Sequence, residues 1–87
     1  MHEFSLIADL MKKIHNVAEE NDADKVVRVG VRLGALAHIS ADHFREHFVD
    51  AARGTPAEHA ELDIEVDRNE EDPHAQDILL TSIEVPD

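Results

Sequence analysis

The first three residues, Met1, His2 and Glu3, hold the most concentrated metal-binding chemistry of the sequence. In a protein that starts at Met1, the free amine, the amides of His2 and Glu3 and the His2 imidazole share one short stretch of backbone. These nitrogens can close small chelate rings in one plane, which suits Ni(II) or Cu(II) better than tetrahedral Zn(II). The Glu3 carboxylate could add a ligand or orient the His2 ring. The sequence therefore predicts a metal site here, against the alternative of a frayed terminus without function.

A second group of candidate residues is His43, Glu46 and His47, which together match the pattern H-x-x-E-H. The two histidines lie one helical turn apart and could bind one Zn(II), with Glu46 as a base. This short pattern arises easily by chance in a chain with 7 histidines and 20 acidic residues. A small domain also leaves little room for a peptidase cleft. An exposed helix face is the stronger interpretation, and we expect that the protein is not an enzyme.

His38 is a third candidate, because it follows the first predicted strand and loops at strand ends often carry binding sites. If the N-terminus folds toward that end of the strand, His38 could supply a further metal ligand. The alternative is a surface histidine, which is how we interpret the three remaining ones: His15, His59 and His74.

Composition restricts the function further. The formal charge of −12 repels phosphate, so neither nucleic acid nor an anionic membrane is an expected partner, whereas cations and basic protein surfaces are suitable. The absence of cysteine excludes disulfides, thiolate chemistry and Cys-based zinc sites within these residues, and is consistent with the cytoplasm. We see no signal peptide and no apolar run long enough to span a membrane. With 87 residues and 43% hydrophobic content, we expect one domain over 1–87.

Hydrophobic periodicity predicts the element order α-β-α-β-β. The helices are expected over 4–20 and 41–52, the second capped by Ser40. The strands are expected over 25–33, 61–66 and 77–85. Two apolar sets should be buried: in the first strand Val27, Val29, Val31 and Leu33, and in the second helix Phe44, Phe48, Ala51 and Ala52.

The connections predict how these elements assemble. The strand–helix–strand order favours a parallel crossover between the first two strands, and the polar connection over 67–76 favours antiparallel pairing of the last two. We expect a two-layer α+β fold with a mixed three-stranded sheet and both helices on one face. Three strands can leave an edge unpaired, which would allow a homodimer.

Several segments of the chain resemble the HypA/HybF family, the nickel metallochaperones of nickel–iron hydrogenase maturation. The opening Met1-His2-Glu3-Phe4-Ser5-Leu6 is similar to the family's start. The other matching segments are 25–34, with its closing Gly34, then 53–58 and 60–62 after the second helix, and 77–80 and 82–85 in the last strand. The resemblance implies an α-β-α-β-β domain that binds Ni(II) through the Met1 amine, the His2 and Glu3 amides and the His2 imidazole.

The resemblance also implies a role and shows one departure. The role is to carry Ni(II) to a hydrogenase large-subunit precursor together with a partner GTPase. Family members insert a zinc domain with two Cys pairs between the last two strands, whereas here that interval, expected between 66 and 77, holds no Cys. We therefore expect no structural zinc and a nickel-binding domain alone. It could be a natural variant, an engineered minimal domain, or a metal-free docking module that binds a hydrogenase precursor or subunit.

Overall fold

The element order α-β-α-β-β is confirmed by a computed structural model, which describes the backbone of residues 3–86 and the side chains of residues 6–86. The elements are α1 (Glu3–Glu20), β1 (Arg28–Leu33), α2 (Ala41–Ala52), β2 (Glu61–Val66) and β3 (Ile78–Glu84). Both helices therefore lie within two residues of their predicted bounds, while β1 begins three residues later than predicted.

The two helices bury one apolar stripe each. In α1 the buried residues recur every three or four positions, as one helix face requires: Ile7, Leu10, Ile14 and Ala18. In α2 they are Phe44, Phe48 and Ala52. The predicted burial of Ala51 is wrong, since each helical residue is rotated by about 100° from its neighbour and Ala51 therefore points to solvent beside buried Ala52.

The sheet is mixed, with the strand order β2-β1-β3. β1 and β2 pair in parallel, which confirms the predicted crossover. The predicted pairing of the last two strands is wrong, because β3 pairs antiparallel with β1 and not with β2. β1 is the most buried strand and occupies the centre, whereas charged β2 suits an edge. The connection after β2 thus crosses over to the far side of β1.

The start of β1 corrects a second expectation, the burial of Val27. Val26 is 2% exposed and Val27 is 36% exposed, the reverse of the predicted alternation. The chain bends before Arg28, where the Val26 N–H donates to the Pro56 carbonyl and the Val27 N–H donates to the Glu84 carbonyl. These two acceptors come from segments that are distant in the sequence, and the hydrogen bonds to them turn the backbone at the start of β1.

The core lies between the helices and one face of the sheet. α1 packs against α2 and β3, and α2 packs against β2. From β1 the residues Val29, Val31 and Leu33 enter this core, each at most 1% exposed. The ladder between β1 and β3 shifts at Gly30 and Val31, so that the register passes over one residue of β3. The two-layer α+β architecture agrees with the expectation from the sequence.

Candidate functional site

Of the predicted chelating residues, Met1 and His2 precede α1 in the sequence and Glu3 begins it. Met1 and His2 are outside the described residues, and Glu3 is described by its backbone alone, as the first residue of the helix. The first four N–H groups of an α-helix have no acceptor within the helix. A helix that begins at Glu3 therefore leaves the Glu3 amide available for the planar chelation that the sequence predicts.

The beginning of α1 lies beside the loop that carries His38. A surface depression of about 440 Å³ is lined by Leu6 from α1, by Leu36, Ala37 and His38 from the loop after β1, and by Gln76 and Asp77. His38 is exposed and has a left-handed backbone (φ +58°), which orients it differently from its neighbours. The N-terminal end of α1 thus reaches the strand end where His38 stands, as the hypothesis of a shared metal site requires.

His38 has few potential co-ligands in the described part of the chain. A second depression of about 360 Å³ on its other side contains Asp67 and Glu70. Among the side chains of residues 6–86, however, no group of three or more His, Asp or Glu is arranged to hold a metal ion. A site that includes His38 therefore needs ligands from Met1 and His2, and its role as a ligand stays a prediction.

The connection over 67–77 forms the other wall of this region. Its backbone continues the strand ladders, since the Asp67 N–H donates to the Leu33 carbonyl at 2.9 Å and the Gly34 N–H donates to the Asp77 carbonyl at 2.9 Å. Side chains order its turns, because the Asp67 carboxylate accepts from the Asn69 N–H and the Asp72 carboxylate accepts from the His74 N–H. The Asp-Pro and Asn signals predict such turns from sequence.

One buried residue of this connection escaped the sequence analysis. Ala75 is 4% exposed, and its carbonyl accepts the Leu36 N–H at 2.7 Å. Gly34 fits against the same backbone, where a side chain would collide with Ala75. The polar composition of 67–76 hid this contact, which fixes the loop of His38 in place.

The histidines of the H-x-x-E-H pattern do come together on α2. The Nε2 atoms of His43 and His47 lie 2.8 Å apart, and their ring centroids are 4.6 Å apart. Glu46 is exposed on the same helix. Because the described residues contain no set of three metal-ligating side chains, the geometry gives no support to a zinc hydrolase built on these residues.

The outer face of the sheet forms a charged surface. Arg28 lies 2.8 Å from Glu61, 3.6 Å from Asp63 and 3.8 Å from Glu84, and Arg32 lies 3.4 Å from Glu65. The hydrogen bond that Arg28 donates to Glu61, and then the charges of Asp63, Glu61 and Glu84, raise the pKa of Arg28. The four acids outnumber the two arginines, so this face is acidic. The alternation of acidic and apolar residues over 61–66 is typical of a strand with one solvent-exposed face, but it does not predict the ion pairs with Arg28 and Arg32.

A groove of about 440 Å³ lies between α2 and the edge strand β2. Apolar Phe48, Val49 and Leu62 line it together with the acidic Glu58, Glu61 and Asp63 and the basic Arg45. Val49 is 49% exposed and adds an apolar surface to the groove. The groove could contact a partner that is both apolar and basic. Neither described helix has the length and apolar character needed to cross a membrane.

Curated proteins and solved structures resemble the chain as follows. The hydrogenase maturation factor HypA of Chloroflexus aurantiacus is 42% identical over 65 residues, which is 75% of this chain and 57% of that protein. The protein of the same name from Aquifex aeolicus is 37% identical over 68 residues, 78% of this chain and 59% of that protein. The matches thus span little more than half of these relatives.

The fold is also that of a solved structure. The solution structure of the Ni metallochaperone HypA from Helicobacter pylori superposes with a TM-score of 0.78, at 21% identity, over 98% of this chain and 97% of that chain. At this identity the likeness shows the fold alone. It confirms the α+β arrangement, and its coverage includes β3.

A family model gives the most direct assignment. It is described as HypA, a hydrogenase/urease nickel incorporation metallochaperone, and it matches residues 1–71. The match therefore includes Met1, His2, Glu3 and His38 and ends within the connection after β2. Members of this family are maturation factors and are not known as catalysts. On the strength of this match over most of its length, the chain belongs to the HypA family of nickel incorporation metallochaperones.

Proposed function

We propose that the protein binds Ni(II) at its N-terminus and acts as a metallochaperone-like accessory protein in the maturation of nickel–iron hydrogenase. The observation that carries the proposal is the match of residues 1–71 to a nickel incorporation family, which includes the chelating Met1, His2 and Glu3. The family description also names urease, so a nickel enzyme is the common recipient.

The ligands are the Met1 amine, the amides of His2 and Glu3 and the His2 imidazole, with His38 as a further donor from the loop after β1. The helix start at Glu3 and the depression shared by Leu6 and His38 support this set. Planar coordination at a chain end leaves at least one face of the metal open, even if His38 binds on the other. A partner can therefore displace the ligands one by one. A closed cage of ligands around the metal would prevent this stepwise release.

The partners are a hydrogenase large-subunit precursor and a maturation GTPase, in the cytoplasm. The protein acts as one nickel-binding domain over 1–87, without the zinc-domain insert that the resemblance places between 66 and 77. Three observations support a single nickel-binding domain without this insert. These residues contain no Cys, the family match ends at 71, and the connection over 67–77 is closed by its own hydrogen bonds.

The test of nickel binding is calorimetric titration of Ni(II) into protein that starts at Met1 with a free amine. Two variants remove different ligands: His2→Ala removes the imidazole, and a Gly-Ser extension before Met1 removes the terminal amine. We expect each to weaken Ni(II) binding by about a hundredfold or more, because each breaks one ring of the chelate.

The matched control is His59→Ala, since this side chain is 93% exposed and should leave the affinity unchanged. A planar Ni(II) site also has a visible absorption band that the two ligand variants should lose. Equal affinity in all four proteins would refute the proposal, and loss in His38→Ala as well would add this residue to the ligand set.

The alternative is a metal-free docking module for a hydrogenase precursor or subunit. The acidic outer face of the sheet and the groove beside Val49 favour it, because both are exposed and neither contains a predicted nickel ligand. Such a module would act through protein contacts while the nickel chemistry is supplied elsewhere.

A pull-down with the hydrogenase precursor separates the two functions. Capture that persists in His2→Ala and in the presence of a chelator, and is lost in Val49→Asp, supports docking without metal. Capture that needs His2 supports nickel delivery. Failure of the wild-type chain to bind any hydrogenase component removes the docking module.

A further inference from the structure

The pair His43 and His47 on α2 is a metal-ligating group that the proposed N-terminal site does not use. The two residues are separated by four positions, so one helical turn brings their side chains to the same side of α2. Ser40 fixes the start of this turn, because its hydroxyl accepts the His43 N–H at 3.1 Å and its carbonyl accepts the Phe44 N–H at 2.9 Å.

The core fixes the rest of the turn. Phe44 and Phe48, each one position after a histidine, are 0% and 2% exposed and hold the helix against the sheet. His43 is exposed and His47 is half-buried, so the pair lies at the border between the buried stripe and solvent. Both rings therefore lie on the same exposed border of α2.

The two ring nitrogens lie close enough to share one cation. The Nε2 atoms of His43 and His47 are 2.8 Å apart, and one ring donates a hydrogen bond to the other. Two imidazole nitrogens at about 2.05 Å from one cation lie about 2.9 to 3.3 Å apart, so a metal could replace this hydrogen bond after a small rotation of the rings. The affinity of nitrogen ligands for divalent metals rises from Ni(II) to Cu(II), which favours Cu(II) at such a pair.

We propose that His43 and His47 form a second binding site for a divalent transition metal, with two adjacent imidazole ligands and a preference for Cu(II) over Ni(II). Water or a donor from a partner fills the other positions. The positive end of the α2 dipole opposes a cation in the first turn. The exposed Asp42 and Glu46 on the same helix and the total charge of −12 offset this effect.

The site differs in kind from the N-terminal one. It uses no backbone nitrogen and no terminal amine, so its protein ligands are two side-chain imidazoles alone. It also crosslinks one turn of α2, so a bound metal stabilises that helix. These differences allow the two sites to be tested separately.

The test uses the full chain with the His2→Ala change and the Gly-Ser extension, which together disable the N-terminal site. Cu(II) and Ni(II) are titrated in turn, and the Cu(II) electron paramagnetic resonance spectrum reports the number of coordinated nitrogens. We expect the spectrum to show two nitrogens, and His43→Asn and His47→Asn each to weaken binding by about tenfold or more. Metal should raise the melting temperature of the background protein and not that of either variant.

The matched control is His59→Asn, an exposed histidine outside any helix, which should not change the affinity. Circular dichroism verifies that the variants keep their helices. The proposal is overturned if both asparagine variants bind within about twofold of the background, if His59→Asn has the same effect, or if Ni(II) binds more tightly than Cu(II). Because the N-terminal site is disabled throughout, none of these outcomes depends on the proposed nickel delivery.

Discussion

The helix-covered face and the outer face of the sheet come from the same three strands, but they contribute to the protein in different ways. The covered face presents Val29, Val31 and Leu33, at most 1% exposed. The outer face presents Arg28 and Arg32 among carboxylates that are more than half exposed. Burial of apolar surface dominates folding free energy, whereas exposed ion pairs contribute little. One face therefore supplies stability, and the other is open to changes that suit a partner.

The largest effect should come from the same substitution made on opposite faces. Leu33→Ala empties a site that is 1% exposed and should lower the free energy of unfolding by about 2–5 kcal/mol. Leu79 pairs with Arg32 and is only partly buried, so Leu79→Ala should cost about 1 kcal/mol or less. Urea unfolding followed by circular dichroism measures both. Equal losses in the free energy of unfolding would show that the two faces contribute equally to stability.

A second comparison uses two glycines of the central strand region. A Cβ at Gly34 would collide with the Ala75 backbone, so Gly34→Ala should cost about 1–3 kcal/mol and loosen the loop of His38. A Cβ at Gly30 would meet the hydroxyls of Ser82 and Thr81, which can rotate away, and Gly30→Ala should change stability by less than about 1 kcal/mol. Thermal unfolding compares the two, and a larger cost at Gly30 would contradict the expected rigidity of Ala75.

The smallest effect should be on the outer face itself. Arg28→Gln removes the contacts with Glu61, Asp63 and Glu84, all at the surface, and should lower the unfolding midpoint only slightly at low salt. The difference from wild type should vanish near about 1 M NaCl, because salt screens exposed charges. Urea midpoints at both salt concentrations measure it. A large loss that persists in high salt would mean that Arg28 stabilises the fold by packing.

The sequence predicted those parts of the fold that depend on local pattern. Both helices and the Ser40 cap were confirmed, and Phe44, Phe48 and Ala52 are buried as predicted, although Ala51 is not. The position of β3 beside β1 could not be derived in this way, because strand order depends on which strand is buried most deeply by both neighbours. The exposure of Val27 likewise depends on hydrogen bonds to Pro56 and Glu84, which are distant in sequence.

The candidate sites also differ in how far the sequence alone could predict them. The spacing of His43 and His47 predicted that the two rings share one helix face, and the structure brings them into contact. That His38 lies beside the first turns of α1 depends on how the helix packs on the sheet, and only the structure shows it. The buried Ala75 had no signal in its polar surroundings.

The hydrogen bonds that join the connection over 67–77 to Leu33, Gly34 and Leu36 have a consequence for how the molecule can be extended. The ends of this connection are fastened to the sheet, so extra chain between them would leave the strand pairs intact. The entropic cost of lengthening such a loop grows slowly, by about 0.6 kcal/mol for each doubling. A module grafted here would emerge beside His38. The fold thus offers an attachment point whose position is set by the sheet, not by the module that occupies it.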